Sequence, residues 1–225
     1  MRFVFIVFFI SMYSVSSAQF GVRLSYNLNS ASAWDDFFST QENQAQSVFS
    51  TSYGIELDYW TRLKNQRVEF YPYISYYQAN TTLSSSFTSL SLRQIGAGLK
   101  SHIYFLDFHG DCDCPTFSKQ GGLFQKGFFL LAGVGTDFAQ KAIGAEAHRD
   151  GNIDVRASVG LGLDIGISDL ITITPFVAYQ RFFDVSWHEV GRAFGQEQVN
   201  VSSTINQLQL GFRIGLRGDY ESPRF

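Results

Sequence analysis

From Ile153 to Ile167 the chain alternates without a break, and that run constrains the fold more than any other. Ile153, Val155, Ala157, Val159, Leu161, Leu163, Ile165 and Ile167 share one side. Asp154, Arg156, Ser158, Gly160, Gly162, Asp164 and Gly166 share the other. A period of two is the signature of a β-strand, because successive side chains point to opposite faces. One face is wholly aliphatic, whereas the other is built from glycine and charge. The greasy face suits lipid and the small, charged face suits a crowded, hydrated interior, as in a strand of a transmembrane barrel.

The amino terminus agrees with export. Arg2 precedes an apolar run from Phe3 to Ile10, then Ser14-Val15-Ser16-Ser17-Ala18. A basic start, a short apolar segment and small residues before a cut define a secretory signal peptide. The expected domain organisation is therefore a signal peptide over 1–18 and a single barrel domain over 19–225. The apolar run is too short to span a bilayer as a mature helix. Any membrane crossing falls to strands, which can cross only as a closed barrel.

Composition enters here. The chain carries 23 Phe and 11 Tyr, many near strand ends, where aromatic girdles would use them. The net charge of −3 comes with no basic stripe, so nucleic acid is not an expected partner. Two cysteines are too few for a disulfide-built scaffold. No cofactor is expected.

Alternation recurs in eight segments: Phe20 to Leu28, Tyr53 to Trp60, Val68 to Tyr77, Ser91 to Phe105, Gly127 to Phe138, the opening run, Ile171 to Phe182, and Gln207 to Arg217. The gaps Asn29 to Thr51, Gln78 to Leu90, Ala139 to Asn152 and Phe183 to Thr204 are long and polar, and read as outer loops. Thr61 to Arg67 and Ser168 to Leu170 are short and read as periplasmic turns. The connection Asp107 to Lys126 breaks the rule, with 20 residues where a turn would suffice. A faint repeat pairs Tyr53-Gly54-Ile55-Glu56-Leu57-Asp58 with Val159-Gly160-Leu161-Gly162-Leu163-Asp164. It also pairs Pro72-Tyr73-Ile74-Ser75-Tyr76 with Pro175-Phe176-Val177-Ala178-Tyr179. Proline inside a strand suggests a bulge or the start of the strand.

These proline-aromatic-aliphatic openings, the glycine-alternating strands and the signal peptide resemble the OmpA/OmpX-like eight-stranded outer-membrane barrels. The resemblance spans nearly the whole mature chain. It implies an all-β, eight-stranded antiparallel up-and-down transmembrane β-barrel in the bacterial outer membrane, with outer-membrane lipid around it.

Charges fall on the inward face: Arg23, Lys100, Arg156, Arg213 and Arg217 against Glu56, Asp58, Glu69, Asp137 and Asp164. In so narrow a barrel the expected result is a salt-bridged plug rather than a pore. Candidate catalytic groups are His188 with Glu189, His148 with Asp150, and inward His102, none within a hydrolase motif. The most distinctive local sequence is His109-Gly110-Asp111-Cys112-Asp113-Cys114-Pro115. His109, Cys112 and Cys114 could ligate a metal such as zinc or copper, or the two cysteines could form a strained local disulfide. The preferred function is a non-enzymatic barrel with a structural or docking role. Its long periplasmic cysteine loop would contact a periplasmic or outer-membrane protein partner. The alternatives are a lipid-modifying barrel enzyme and a soluble lipocalin-like carrier, which would turn the Val159-Leu161-Leu163 face inward.

Overall fold

The computed structural model describes residues 19–43, 45, 47–63, 66–84, 88–107, 127–144, 148–168, 170–188, 190–196 and 199–216. Eight long strands run in order: β1 (Phe20–Ser30), β2 (Thr51–Tyr59), β3 (Val68–Thr82), β4 (Ser89–Ile103), β5 (Phe128–Ile143), β6 (His148–Leu163), β7 (Ile171–Trp187) and β8 (Val201–Leu216). Two-residue pieces, Thr61–Arg62 and Ile165–Gly166, continue β2 and β6 past short interruptions. Each strand pairs antiparallel with its successor. The cylinder closes where β8 pairs with β1, from Gly21↔Gly215 to Ser30↔Asn206. A closed barrel leaves no strand edge, which is what a lipid environment demands.

The outward set is as the alternation requires. Val159 is 61 % exposed, Leu161 40 % and Ile153 76 %, all facing away from the lumen. The lipocalin alternative fails on these faces. Both rims of the apolar band carry aromatic residues: Tyr26 packs on Tyr53 at one, while Phe20–Tyr59 and Phe105–Phe128 pairs stand at the other. Tyr76 and Tyr179 direct their hydroxyls to Gln78 (2.9 Å) and Asn206 (2.7 Å), where the outer face turns polar.

Inside, the glycines make room for rings. A Cβ on Gly162 would stand 2.3 Å from the Phe129 ring, and one on Gly54 would stand 2.4 Å from Tyr77.

Two gaps that the sequence reads as loops are largely strand, and a third is strand at both ends. The segments 78–82 and 89–90 extend the β3–β4 ladder, and 139–143 pairs with 148–152. β7 continues to Trp187 against β8 from Val201. The reason is an inversion of phase. Beyond the apolar band the outward positions become polar (Asn80, Arg93, Gln140, Arg181, Asn206) and the inward ones apolar (Ala79, Leu92, Ala139, Phe182, Ile205). The period stays two while lipid outside gives way to water. In β7 a register shift between Ser203 and Ile205, with Asp184 at φ 54, adds a bulge that re-aims Val185 and Trp187 inward.

The first gap holds a helix that the sequence reading does not contain: α1 (Ser32–Glu42). It buries Trp34 and Phe38 over the barrel mouth, together with Phe49, Leu90, Ile143, Val185, Trp187 and Ile205. Trp34 stacks edge-on to Trp187 at 5.5 Å and donates its indole N–H to the Val201 carbonyl (3.2 Å). This end is hereafter the capped end. The other, where Phe20 and Leu216 lie, is the terminal end.

The internal repeat has a structural counterpart. Pairing of β2 with β3 stops at Asp58↔Tyr73 and resumes at Thr61↔Phe70, opposite Pro72. Pairing of β6 with β7 stops at Gly162↔Phe176 and resumes at Ile165↔Ile173, opposite Pro175. Each proline has no N–H to give, so the ladder lapses there. No register shift accompanies either lapse; the proline marks a break rather than a bulge.

Candidate functional site in the barrel lumen

The lumen is filled in three tiers. At the capped end the apolar cluster beneath α1 rests on a layer of amides and hydroxyls. Gln207 donates to Asn29 (2.9 Å), and Gln180 donates to Gln207 (3.1 Å). Between them is a cavity of about 10 Å³ bordered by Trp34, Tyr77, Gln94 and Gln207, room for one water and no ligand.

At mid-barrel lies the charged tier. Lys100 Nζ meets both Glu56 oxygens at 2.6 Å, and Arg23 Nε approaches Glu56 at 3.5 Å. Tyr77 also donates to Glu56. Arg156 pairs with Asp137 (3.2 Å), donates to Ser75 Oγ (2.9 Å) and lies over the rings of Tyr73, Tyr77 and Phe182. The side chains of these ions are almost wholly buried. Mutual pairing, with the hydrogen bonds to Glu56 and from Arg156 to Ser75, opposes the cost of their desolvation.

The third tier is at the terminal end. Arg213 grips Asp58 through two nitrogens, with contacts of 2.6 to 3.0 Å, and lies over Tyr71. Tyr71 and Tyr104 both donate toward Glu69 Oε2 (2.5 and 2.8 Å), and Tyr104 also bonds Asp164, which accepts from Thr174. The His102 ring is stacked on Phe129 (3.8 Å between centroids, 9°) and against Tyr71 (4.1 Å).

Nine of the ten inward charges expected from sequence are buried in these tiers; Arg217 lies outside the described residues. The sequence reading omits Lys141, Asp154 and Arg67, which are also buried. Lys141 sits in a stretch where the phase inversion disguises strand as loop, Asp154 stands at the start of the opening run, on its polar face, and Arg67 precedes β3.

Of the candidate catalytic residues, His188 meets Asp150. Its amide donates to Asp150 Oδ2 (2.8 Å) and its Nδ1 stands 3.3 Å from Oδ1, while Lys141 approaches from the lumen side at 3.4 Å. Burial alone would raise the Asp150 carboxyl, but the His188 amide and then Lys141 outweigh it and hold it below the usual carboxylate range. Ser186, two residues before His188, bonds Ser202 Oγ (2.7 Å) and Asp184 O (3.4 Å). His148 lies in β6 opposite Ile143, and Glu189 lies outside the described residues. His102 is sealed in the lumen. His109, Cys112 and Cys114 lie outside the described residues; the strands that flank their loop, ending at Ile103 and starting at Phe128, reach the terminal end.

A closed eight-stranded barrel with an apolar outer band, aromatic rims and a charged, filled lumen is a small transmembrane β-barrel of the outer-membrane kind, and its fold is that of the small outer-membrane barrels. No known family profile matches the chain, and no curated protein matches it. Among solved structures it is similar to Neisserial surface protein A (TM-score 0.47, 11% identity, covering 88% of this chain and 98% of that one). It is also similar to a major outer membrane protein from Thermus thermophilus (0.46, 8%, 88% and 99%). A third is Ail, the attachment invasion locus protein of Yersinia pestis, in complex with the heparin analogue sucrose octasulfate (0.44, 9%, 88% and 98%). Likenesses of this degree carry no functional conclusion.

Proposed function

We propose that this is a non-enzymatic outer-membrane barrel that acts through its two ends and conducts nothing through its middle. The observation that carries the reading is the filled lumen: a charged tier between an aromatic-carboxylate tier and an apolar cap leaves a space for one water at the capped end. With the termini in the periplasm, as is usual for an even-numbered barrel, α1 and the extended hairpins stand outside the cell. The loop Asp107 to Lys126 then faces the periplasm and serves as the docking surface for a periplasmic or outer-membrane protein. Long loops in compact domains are usually functional, and an eight-stranded barrel gains nothing in closure from one. In that oxidising compartment Cys112 and Cys114 exist either as a strained disulfide or, with His109, as metal ligands.

The test is a Cys112→Ser/Cys114→Ser double variant. It folds with wild-type heat-modifiable gel mobility but recovers less of a partner that co-purifies with the wild type from crosslinked, detergent-solubilised membranes. Undiminished recovery, or thiol labelling of the loop from outside intact cells, contradicts the docking role and its sidedness. An enzymatic reading rests on the outer rim: His188→Ala and His148→Ala leave lipid composition unchanged here, whereas loss of a lipid-modifying activity would support catalysis.

A further inference from the structure

The terminal tier gathers three side chains of metal-ligating types. Glu69 from β3, His102 from β4 and Asp164 from the break after β6 each offer a ligand atom, all within 4.8 Å of one another, and all three residues are buried. Glu69 and His102 are direct cross-strand partners, and Asp164 is brought to them by the same ladder break that faces Pro175. The Asp164 amide turns to Gly127 O (2.9 Å), which fixes the carboxylate over the lumen.

Two further observations describe how these side chains are held. The hydroxyl of Tyr104 contacts carboxylate oxygens of both Glu69 and Asp164, and Tyr71 spends its own proton on the same Glu69 oxygen. Both phenols thus direct their hydroxyls at the two carboxylates, in a tier that also holds the buried Arg67 guanidinium 4.8 Å over the Tyr104 ring. The imidazole, moreover, is held between Phe129 and Tyr71, which fixes the plane of its ring. Arg23 approaches His102 Nε2 at 3.5 Å, at the long limit of a hydrogen bond, and is itself held by Glu56 (3.5 Å) and the Phe176 ring.

We propose that Glu69, His102 and Asp164 form a binding site for a divalent transition-metal cation inside the terminal end of the barrel. One imidazole and two carboxylates without thiolate suit zinc or manganese, and the nitrogen disfavours calcium or magnesium. Ligand bonds of roughly 2.0–2.2 Å put tetrahedral ligand atoms about 3.5 Å apart, so the three atoms, within 4.8 Å of one another, close by up to about 1.3 Å through rotation of the Glu69 and Asp164 side chains. The cation displaces the weak Arg23 contact. This site is separate from the cysteine loop, and the test separates the two.

The protein is purified in detergent in a His109→Ala/Cys112→Ser/Cys114→Ser background, stripped with chelator, and dialysed against Zn²⁺ or Mn²⁺. The expected result is about one equivalent retained by elemental analysis, with affinity falling more than roughly tenfold in added His102→Gln or Asp164→Asn variants. Should these variants fail to fold, Co²⁺ loaded into the otherwise unsubstituted background reports instead. The site then gives visible ligand-field bands and no thiolate charge-transfer band. No stoichiometric metal in the loop-substituted background, retention undiminished by His102→Gln, or an aqueous-cobalt spectrum overturns the proposal.

Discussion

At the scale of single residues, the two faces of β6 make opposite demands, and neighbouring positions test them. Leu161 is exposed to lipid, so Leu161→Arg is expected to cost about 2–4 kcal/mol at the bilayer midplane. Gly162 is one step away and faces inward under the Phe129 ring. Gly162→Val leaves the lipid face intact and overpacks the lumen, at about 1–3 kcal/mol or more. Urea unfolding in lipid vesicles, read by Trp fluorescence and gel mobility, checks both. Equal stability of Leu161→Arg and wild type would show that the outward assignment is wrong. These faces were legible because glycine opposite an aliphatic residue has a simple physical meaning, a ring on one side and lipid on the other. The pairing of His188 with Asp150 was not legible. It depends on which hairpin tips meet in space, and adjacency in sequence suggested Glu189 instead.

Elements show where sequence reading loses its grip. Helix α1 carries Trp34 and Phe38 at helical spacing, a signal that was present, but its start lacks the usual cap: Ala31 stands at the N-cap with no side-chain hydrogen bond. The strand extensions were hidden for a different reason. Their alternation continues in inverted phase, so a search for outward aliphatics ends at the membrane edge and counts folded strand as loop. Two predictions belong here. Trp34→Ala is expected to cost about 3–5 kcal/mol of local stability, because the indole fills the mouth and donates to Val201 O. Amide exchange in α1 should rise while the membrane-embedded ladder stays protected; uniform loss of protection would mean that the cap and barrel unfold as one unit. The second concerns the Asp150 clamp between the β5–β6 and β7–β8 hairpins. Its carboxyl is depressed in the folded state, so its contribution is present above the ordinary carboxylate range and is lost as pH falls through the lower, folded value. Exchange at His188 should therefore accelerate only in strong acid in the wild type, and at all pH values in Asp150→Asn. Acceleration near neutral pH in the wild type would contradict the clamp.

For the whole molecule, the order of tiers is the account: lipid outside, ions inside, and an apolar plug where water returns outside. The architecture follows from period-two patterning and from the need to satisfy every backbone group in lipid. The charged tier was legible as composition of one face, although its partners, such as Lys100 with Glu56 and Arg156 with Asp137, needed the closed cylinder to bring distant strands together. A lumen filled in this way is shut. Purified protein reconstituted in planar bilayers at moderate salt measures it directly. The account predicts no steady conductance above the bare membrane, and none on removal of the cap by Trp34→Ala, because the Glu56 tier remains beneath. Reproducible open channels of porin size in the wild type would contradict it.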